Sequence, residues 1–393
     1  MAKVNANNSR RQFVGGALGI ALAADALAVV NVANSETTKK LLAIQIGNLG
    51  IDTARTNATP AIVQLGEGMR ACIARANALG GIRGRQLEFI QLSSKNDPKL
   101  FMEYFNQAQK LGALAILCPF GGDNIQRILE EKVLDSAGPV VIGAIPGAEV
   151  FRNPGHPKLL HVRARDGRQI AHILGHAKQL GIRRVGMFVV NNEAGRSGAT
   201  QASVSAKLLG DMALTTFLSE VDQVSIASAV RDFSTSGSEC AIVLGPPKFM
   251  ADSILTMREA KFNKFIYALS YMSPEVLVSV AKEHATNVVI SQVFPNPTGI
   301  VMPLQREFQT TMRQHLPNIT KYSTFHLEGY VCAQVYVESL RRSAVYDGLS
   351  LAKTLRASKE IDLGGYPVDF SKNNDGSRFV DIAIVDQSGK LRY

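Results

Sequence analysis

The sequence predicts an α/β fold made of two doubly wound, parallel-sheet lobes. Three observations carry this expectation. Short β-branched runs alternate with segments of helical period throughout the chain. The runs fall into two successive series, and 393 residues exceed what one hydrophobic core usually supports. In the first series, LLAIQIG (41–47) is a strand followed by a helix that ends at NALGGIRG, where Gly80 and Gly81 suit a left-handed stop. RQLEFIQL is the next strand. Asp97-Pro98 then opens a helix as N-cap and first-turn proline, and ALAILC (113–118), a helix over 123–137 and PVVIGAI (139–145) follow. The second series starts at KLLHVRA (158–164) and runs through RRVGMFVV, ALTTFLS, CAIVLG, KFIYALS and NVVISQVF. Alternating units of this length give parallel strands with helices on both faces. PLQREFQTTMRQHLP, HLEGYVCAQVYVESLRRSA and GLSLAKTLRA read as helices without strands between them, and RFVDIAIVD as a last strand, so the chain must return to a lobe already begun.

The amino-terminal stretch MAKVNANNSRRQFVGGALGIALAADALA reads as an export signal over residues 1–28. Its apolar run, Phe13 to Ala24, is too short for a bilayer span and is followed by small residues at cleavage spacing. Ser9-Arg10-Arg11-Gln12-Phe13 is similar to a twin-arginine signal; a basic Sec signal with adjacent arginines is the alternative. The expected localisation is the periplasm. The formal charge of +10 comes from basic residues scattered over helix faces, without a Lys/Arg run or interleaved aromatics, so no nucleic-acid partner is expected. Cys72, Cys118, Cys240 and Cys332 lie in apolar helix-like or strand-like contexts and read as buried free thiols.

In open α/β sheets the loops after the strand carboxyl ends collect ligands. Those loops are PFGGDN (119–124), IPGAE (145–149), NNEAGR (191–196), GPPK (245–248) and SYMS (270–273), and two lobes would face them across a cleft. Catalytic signatures are missing: IGNLGID lacks the dinucleotide spacing, and no P-loop, nucleophile elbow or HExxH occurs. His172 and His176 stand four apart, but nothing at matching spacing completes a metal ligand set, so neither metal nor cofactor is expected.

Five segments in order resemble the type I periplasmic solute-binding proteins of ABC importers, the leucine/isoleucine/valine-binding family. They are ANALGGIRGRQLEF with the NDP that follows, GAIPGAEVFRNP with HVRAR, VGMFVVNNEAGRSG, HLEGYVCAQVYVESLRR, and DLGGYPVDFSKNNDGSRFVDIAIV. The resemblance implies a Venus-flytrap protein, monomeric and not an enzyme, whose lobes close on a small ligand and dock on an inner-membrane permease. It implies three crossovers, near 162, 294 and 365, with lobe 1 formed by 41–162 and 295–364 and lobe 2 by 163–294 and 365–393. It places the ligand among Phe120, Gly122, Asp123, Asn124, Ile145, Pro146, Gly147, Ala194, Ser270 and Tyr271. Several usual amino-acid contacts are replaced: Pro146 stands where a threonine is expected, Ala194 where an aromatic covers the ligand, and Ser270 near the position of an acidic residue. Asp123 reads equally as a ligand group for an ammonium or hydroxyl and as the cap of the helix that follows. The altered pocket points to a ligand other than a simple branched-chain amino acid, with Tyr271 or Phe120 as stacking face. A sensor of the same fold that acts on a membrane kinase or chemoreceptor is the competing function.

Overall fold

The computed structural model describes residues 40–49, 59–95, 97–210 and 212–393, so the export-signal reading of residues 1–28 lies outside the described residues. Lys40–Tyr393 forms one unit built on two large sheets. The first sheet comes from β1 (Leu41–Gly47), β2 (Leu87–Ser93), β3 (Ala115–Leu117), β4 (Val140–Ile142) and β5 (Leu159–Leu160), all parallel in the order β2-β1-β3-β4-β5. Its crossover helices are α1 (Thr59–Ala78), α2 (Pro98–Lys110) and α3 (Gly122–Glu130). The period-two pattern of β1 explains the layering: Leu41 and Ala43 join one core, while Ile44 and Ile46 join the core that holds Phe101 and Phe105 of α2. Asp97 caps α2 as the sequence predicts, its Oδ1 accepting from the Lys99 N–H at 2.8 Å.

The second sheet follows α4 (Asp166–Gln179) and alternates β6 (Arg184–Val190), α5 (Glu193–Leu208), β7 (Ala213–Ser219), α6 (Gln223–Thr235), β8 (Cys240–Leu244), α7 (Pro247–Glu259), β9 (Phe265–Ala268), α8 (Pro274–Ala281) and β10 (Val288–Gln292). Then α9 (Pro303–His315), α10 (Thr324–Arg342) and α11 (Gly348–Ala357) pack back on the first sheet. They precede a two-stranded ribbon, β11 (Ile361–Asp362) with β12 (Pro367–Val368), and the closing strands β13 (Asp381–Val385) and β14 (Leu391–Arg392). The order β14-β13-β10-β9-β8-β6-β7 makes this sheet mixed rather than purely parallel: β13 enters from the opposite end and pairs antiparallel with β10, and β14 turns back on it.

Two further expectations change. The helix expected over 123–137 stops at Glu130, because Lys132 takes a left-handed φ of 51° and a short 3₁₀ turn, Val133–Asp135, follows. The strand expected over 158–164 shrinks to β5, because after Leu160 the backbone leaves the sheet. The His161 N–H donates to the Asn374 carbonyl at 2.8 Å, and the His161 carbonyl accepts from Gly376 at 2.7 Å. This pairing sets the first connection between the sheets beside the third. The second connection joins them where Phe294 stacks on Tyr366 and the Tyr366 hydroxyl donates to the Val293 carbonyl at 3.0 Å.

α10 is buried on all sides rather than on one face: fourteen of its 19 residues are buried, because it is wedged between α1 and the first sheet. Two glycines permit that approach. A Cβ on Gly68 would lie 1.9 Å from the His326 carbonyl oxygen, and one on Gly329 would lie 2.0 Å from that of Leu65. Backbone meets backbone there, so neither position has room for a side chain.

Candidate functional site

The loops at the strand carboxyl ends converge. After β3, Pro119 accepts a hydrogen bond from the Ile145 N–H at 3.1 Å, which fixes the 119–124 loop beside the 145–147 loop. Gly121, at φ 94°, is the residue that enters α3, and the Asn124 amide closes the turn on the Phe120 carbonyl at 2.7 Å. Asp123 lies exposed in the first helical turn and is not the N-cap, so the capping alternative for it fails. An exposed carboxylate there is stabilised instead by the helix dipole. Gly122 sits against the Phe151 ring. From the second sheet, Ala194 at the start of α5 packs on the same core as Ile125, Ala148 and Phe151. Phe120 and Tyr271 are both half-buried against the core that contains Ile145 and Val162.

One contact ties the two sets of loops directly. The Gly147 N–H donates to the Tyr271 hydroxyl at 2.6 Å, and that hydroxyl donates to Asp166 Oδ1 at 2.5 Å. A Cβ on Gly147 would fall 2.3 Å from Asp166 Oδ1, so glycine is required for the loop to approach. Asp166 opens α4 and is buried; desolvation holds its carboxyl above the ordinary range, against the opposing hydrogen bond from Tyr271. Burial also pushes the Tyr271 phenol well up, and the neighbouring Asp166 charge adds to this. Under the ring, the Arg163 guanidinium lies 5.0 Å from the Tyr271 centroid, a cation–π arrangement. Arg163 donates to the Ile145 carbonyl at 3.2 Å and to Glu328 Oε2 at 3.3 Å, and its Nε lies a poorly angled 3.0 Å from Oε1. Both partners are about 1% exposed, and burial pushes the Glu328 carboxyl up to about 6 although Arg163 opposes it.

Ser270 adjoins this network. Its N–H donates to Gln169 Oε1 at 3.2 Å, an atom that also accepts from the Ser291 hydroxyl at 2.7 Å. The Ser270 hydroxyl itself is buried without a partner. Pro146 is half-buried and offers no N–H, as its residue type requires.

The structure therefore brings Phe120, Gly122, Asn124, Ile145, Pro146, Gly147, Ala194 and Tyr271 to one place, with Ser270 beside them and Asp123 at its exposed edge. Sequence reasoning missed the charged floor: Arg163, Asp166 and Glu328. The signal was present, since HVRAR and HLEGY both stood out as motifs, but nothing in one dimension pairs residues 163 and 328. A second ionic knot supports the loops from behind. Arg152, its side chain fully buried, bonds Asp375; Arg165 bonds the same carboxylate and also Glu149, with Nη1 to Oε2 at 2.6 Å. Beside it lies a charged hollow of about 580 Å³ lined in part by Arg168, Asp369, Lys372 and Arg378, none of which belongs to the loops above. His176, half-buried, faces the Tyr267 hydroxyl at 3.0 Å, while His172 is exposed. Among the described residues no cluster of three metal-ligating side chains occurs, and no helix is long and apolar enough to cross a membrane.

Two doubly wound sheets whose strand-end loops meet across a glycine–tyrosine contact define the bilobal class of small-molecule receptors. The comparison with known proteins gives the family. A family model described as periplasmic binding protein matches residues 43–390, and the chain belongs to that family. An extracellular ligand-binding receptor from Verminephrobacter eiseniae is 34% identical, with a TM-score of 0.85 over 90% of this chain and all of its own. A leucine binding protein from Thermotoga maritima is 16% identical, with a TM-score of 0.75 over 90% of this chain and 97% of its own. A Thermus thermophilus branched-chain amino acid ABC transporter protein, solved with bound valine, is 13% identical, with a TM-score of 0.75 over 90% and 95%. These last two show the shared fold. No curated protein sequence matches the chain.

Proposed function

We propose that the protein is an extracytoplasmic solute-binding protein that captures a small polar or amino-acid-like ligand between two lobes and presents it to the permease of an ABC importer. The lobes correspond to residues 41–162 with 295–364 and 163–294 with 365–393. The Gly147–Tyr271 hydrogen bond carries the reading, because it links a loop of one sheet to a loop of the other at the convergence point of the strand ends. A ligand there gains contacts with both lobes only when they approach, and that difference in affinity drives closure.

The ligand site consists of Phe120, Gly122, Asp123, Asn124, Ile145, Pro146, Gly147, Ala194, Ser270 and Tyr271, with Asp166 added from the structure. The unpartnered Ser270 hydroxyl gives a bound ligand one hydrogen bond that the protein leaves open. Pro146 lacks the hydroxyl and N–H donors expected for an α-carboxylate and Ala194 the ring that covers an amino acid, which favours a different ligand, recognised by the Tyr271 or Phe120 face and by a cationic or hydroxyl group beside Asp166 and Asp123. The test is native mass spectrometry of the purified protein followed by a thermal-shift screen of amino acids, amides and aromatic acids. A co-purified metabolite, or a ligand-dependent rise in Tm, supports the reading. An empty protein that no metabolite stabilises refutes it. Tight binding of leucine or valine would sink the specificity argument while leaving the transport role.

A further inference from the structure

Two of the four cysteines meet in the core directly beneath the ligand loops. Cys118 ends the run that leads from β3 into Pro119 and Phe120, and Cys332 lies in the middle of α10; both are fully buried. Their separation in sequence hides the pairing, but the fold sets the two thiols against the same residue, Gly143. The backbone between them shows how closely they sit. A Cβ on Gly143 would lie 2.4 Å from the Cys332 sulfur and 3.3 Å from that of Cys118, so the two sulfurs border the same point. Gly143, at φ 78°, occupies the one place where a side chain would displace them. Cys118 also adopts a φ of 48°, a left-handed conformation that a cysteine does not choose unaided. The other two thiols stand elsewhere: Cys72 on α1 beside Arg75, and Cys240 in the core of the second sheet.

We propose that Cys118 and Cys332 are a redox pair that closes to a disulfide when the chain folds in an oxidising compartment, tying the Phe120 loop to α10. One thiolate attacks a sulfur of a small-molecule or protein disulfide, forming a mixed disulfide and expelling one reduced thiol. The second cysteine then attacks the bridged cysteine sulfur, the S–S bond between the two forms, and the second reduced thiol leaves. Two electrons pass to the reagent disulfide, and the two cysteine protons end on the released thiols. Because the pair is sealed in the core, and burial holds the Cys332 thiol strongly in its protonated form, the exchange belongs to folding rather than to the finished fold. A protein that folds in a reducing compartment before export would instead keep both thiols.

The experiment is to refold the reduced, denatured full chain in a buffer of reduced and oxidised glutathione, quench with acid, and alkylate in denaturant. Two of the four thiols are expected to escape alkylation, and peptide mapping is expected to join the Cys118 and Cys332 peptides. The native reduced protein, exposed to the same buffer without unfolding, is expected to keep all four. Cys118→Ser and Cys332→Ser should each leave three alkylatable thiols; if neither variant folds, the map of the wild-type chain decides. Four free thiols after refolding, or a bridge that includes Cys72 or Cys240, overturns the proposal.

Discussion

Replacing Glu328 by Gln tests whether the buried Arg163–Glu328 pair stabilises the protein or merely persists in it. The carboxyl is about 1% exposed, and burial raises its pKa from 4.5 to about 6 despite the guanidinium beside it. The raised value means that the folded state holds the proton more tightly than the unfolded chain. The carboxyl therefore favours folding fully below pH 4.5, and that contribution is lost as pH rises through about 6. A shift of this size corresponds to roughly 2 kcal/mol. Gln imitates the protonated acid, and its carbonyl still accepts from Arg163, which also keeps the Ile145 carbonyl and the Tyr271 ring. Glu328→Gln is therefore expected to stabilise the protein by about 2 kcal/mol at pH 7 and to be neutral near pH 4. Urea denaturation of both proteins between pH 4 and pH 8, followed by far-UV circular dichroism, measures the gap and where it opens. A loss of more than about 1 kcal/mol at pH 7 would refute the reasoning, because it would make the ionised pair a net source of stability.

Asp375→Asn should behave in the opposite way. Asp375 is held below the usual carboxylate range, with Arg152 and Arg165 outweighing its burial, so it stabilises the fold above its unfolded pKa and that gain is lost as pH falls. The variant keeps one acceptor but removes the charge that Arg152 and Arg165 share, turns the second acceptor into a donor facing a guanidinium, and should cost about 3–5 kcal/mol at pH 7, read by urea titration, with the gap closing in acid. Tyr271→Phe leaves the Gly147 N–H and the buried Asp166 carboxyl without their shared partner. A loss of about 1–3 kcal/mol is expected by thermal melting, and no change in stability would place the phenol outside the network. Gly329→Ala forces a methyl into the Leu65 carbonyl, and a cost of at least about 1–3 kcal/mol in urea would confirm that α1 and α10 touch through their backbones.

How much of this could be read in one dimension depends on the range of the physics. The alternation of strands and helices, the Asp97 cap and the Gly80-Gly81 stop are local, set by residues a few positions apart, and they stand in the structure as the sequence implies. α3 ends earlier than its sequence pattern implies because Lys132 enters a left-handed conformation that nothing in its residue type demands. The direction of β13 depends on how the chain returns from α11, which no local pattern encodes.

The candidate site divides along the same line. Its loops were legible, because strand carboxyl ends collect ligands wherever sheets are doubly wound. Its floor was not, because Arg163, Asp166, Tyr271 and Glu328 come from four separate segments and acquire meaning only as a set. The contrast between the two ionic knots shows why pairing must be seen to be weighed. Asp375 has two arginines and a carboxyl held low; Glu328 has one arginine and a carboxyl pushed up. The same residue types, each an acid beside an arginine, leave the carboxyl shifted in opposite directions. Glu328 is the more deeply buried and has one cation, whereas Asp375 is less buried and has two. On that argument the Arg152–Asp375–Arg165 knot holds the connections between the sheets in register. In the Arg163–Glu328 pair burial pushes the carboxyl up, whereas Glu328 more than offsets the effect of burial on the guanidinium, so the two partners pull in opposite directions and the Glu328→Gln measurement decides the sign for the pair.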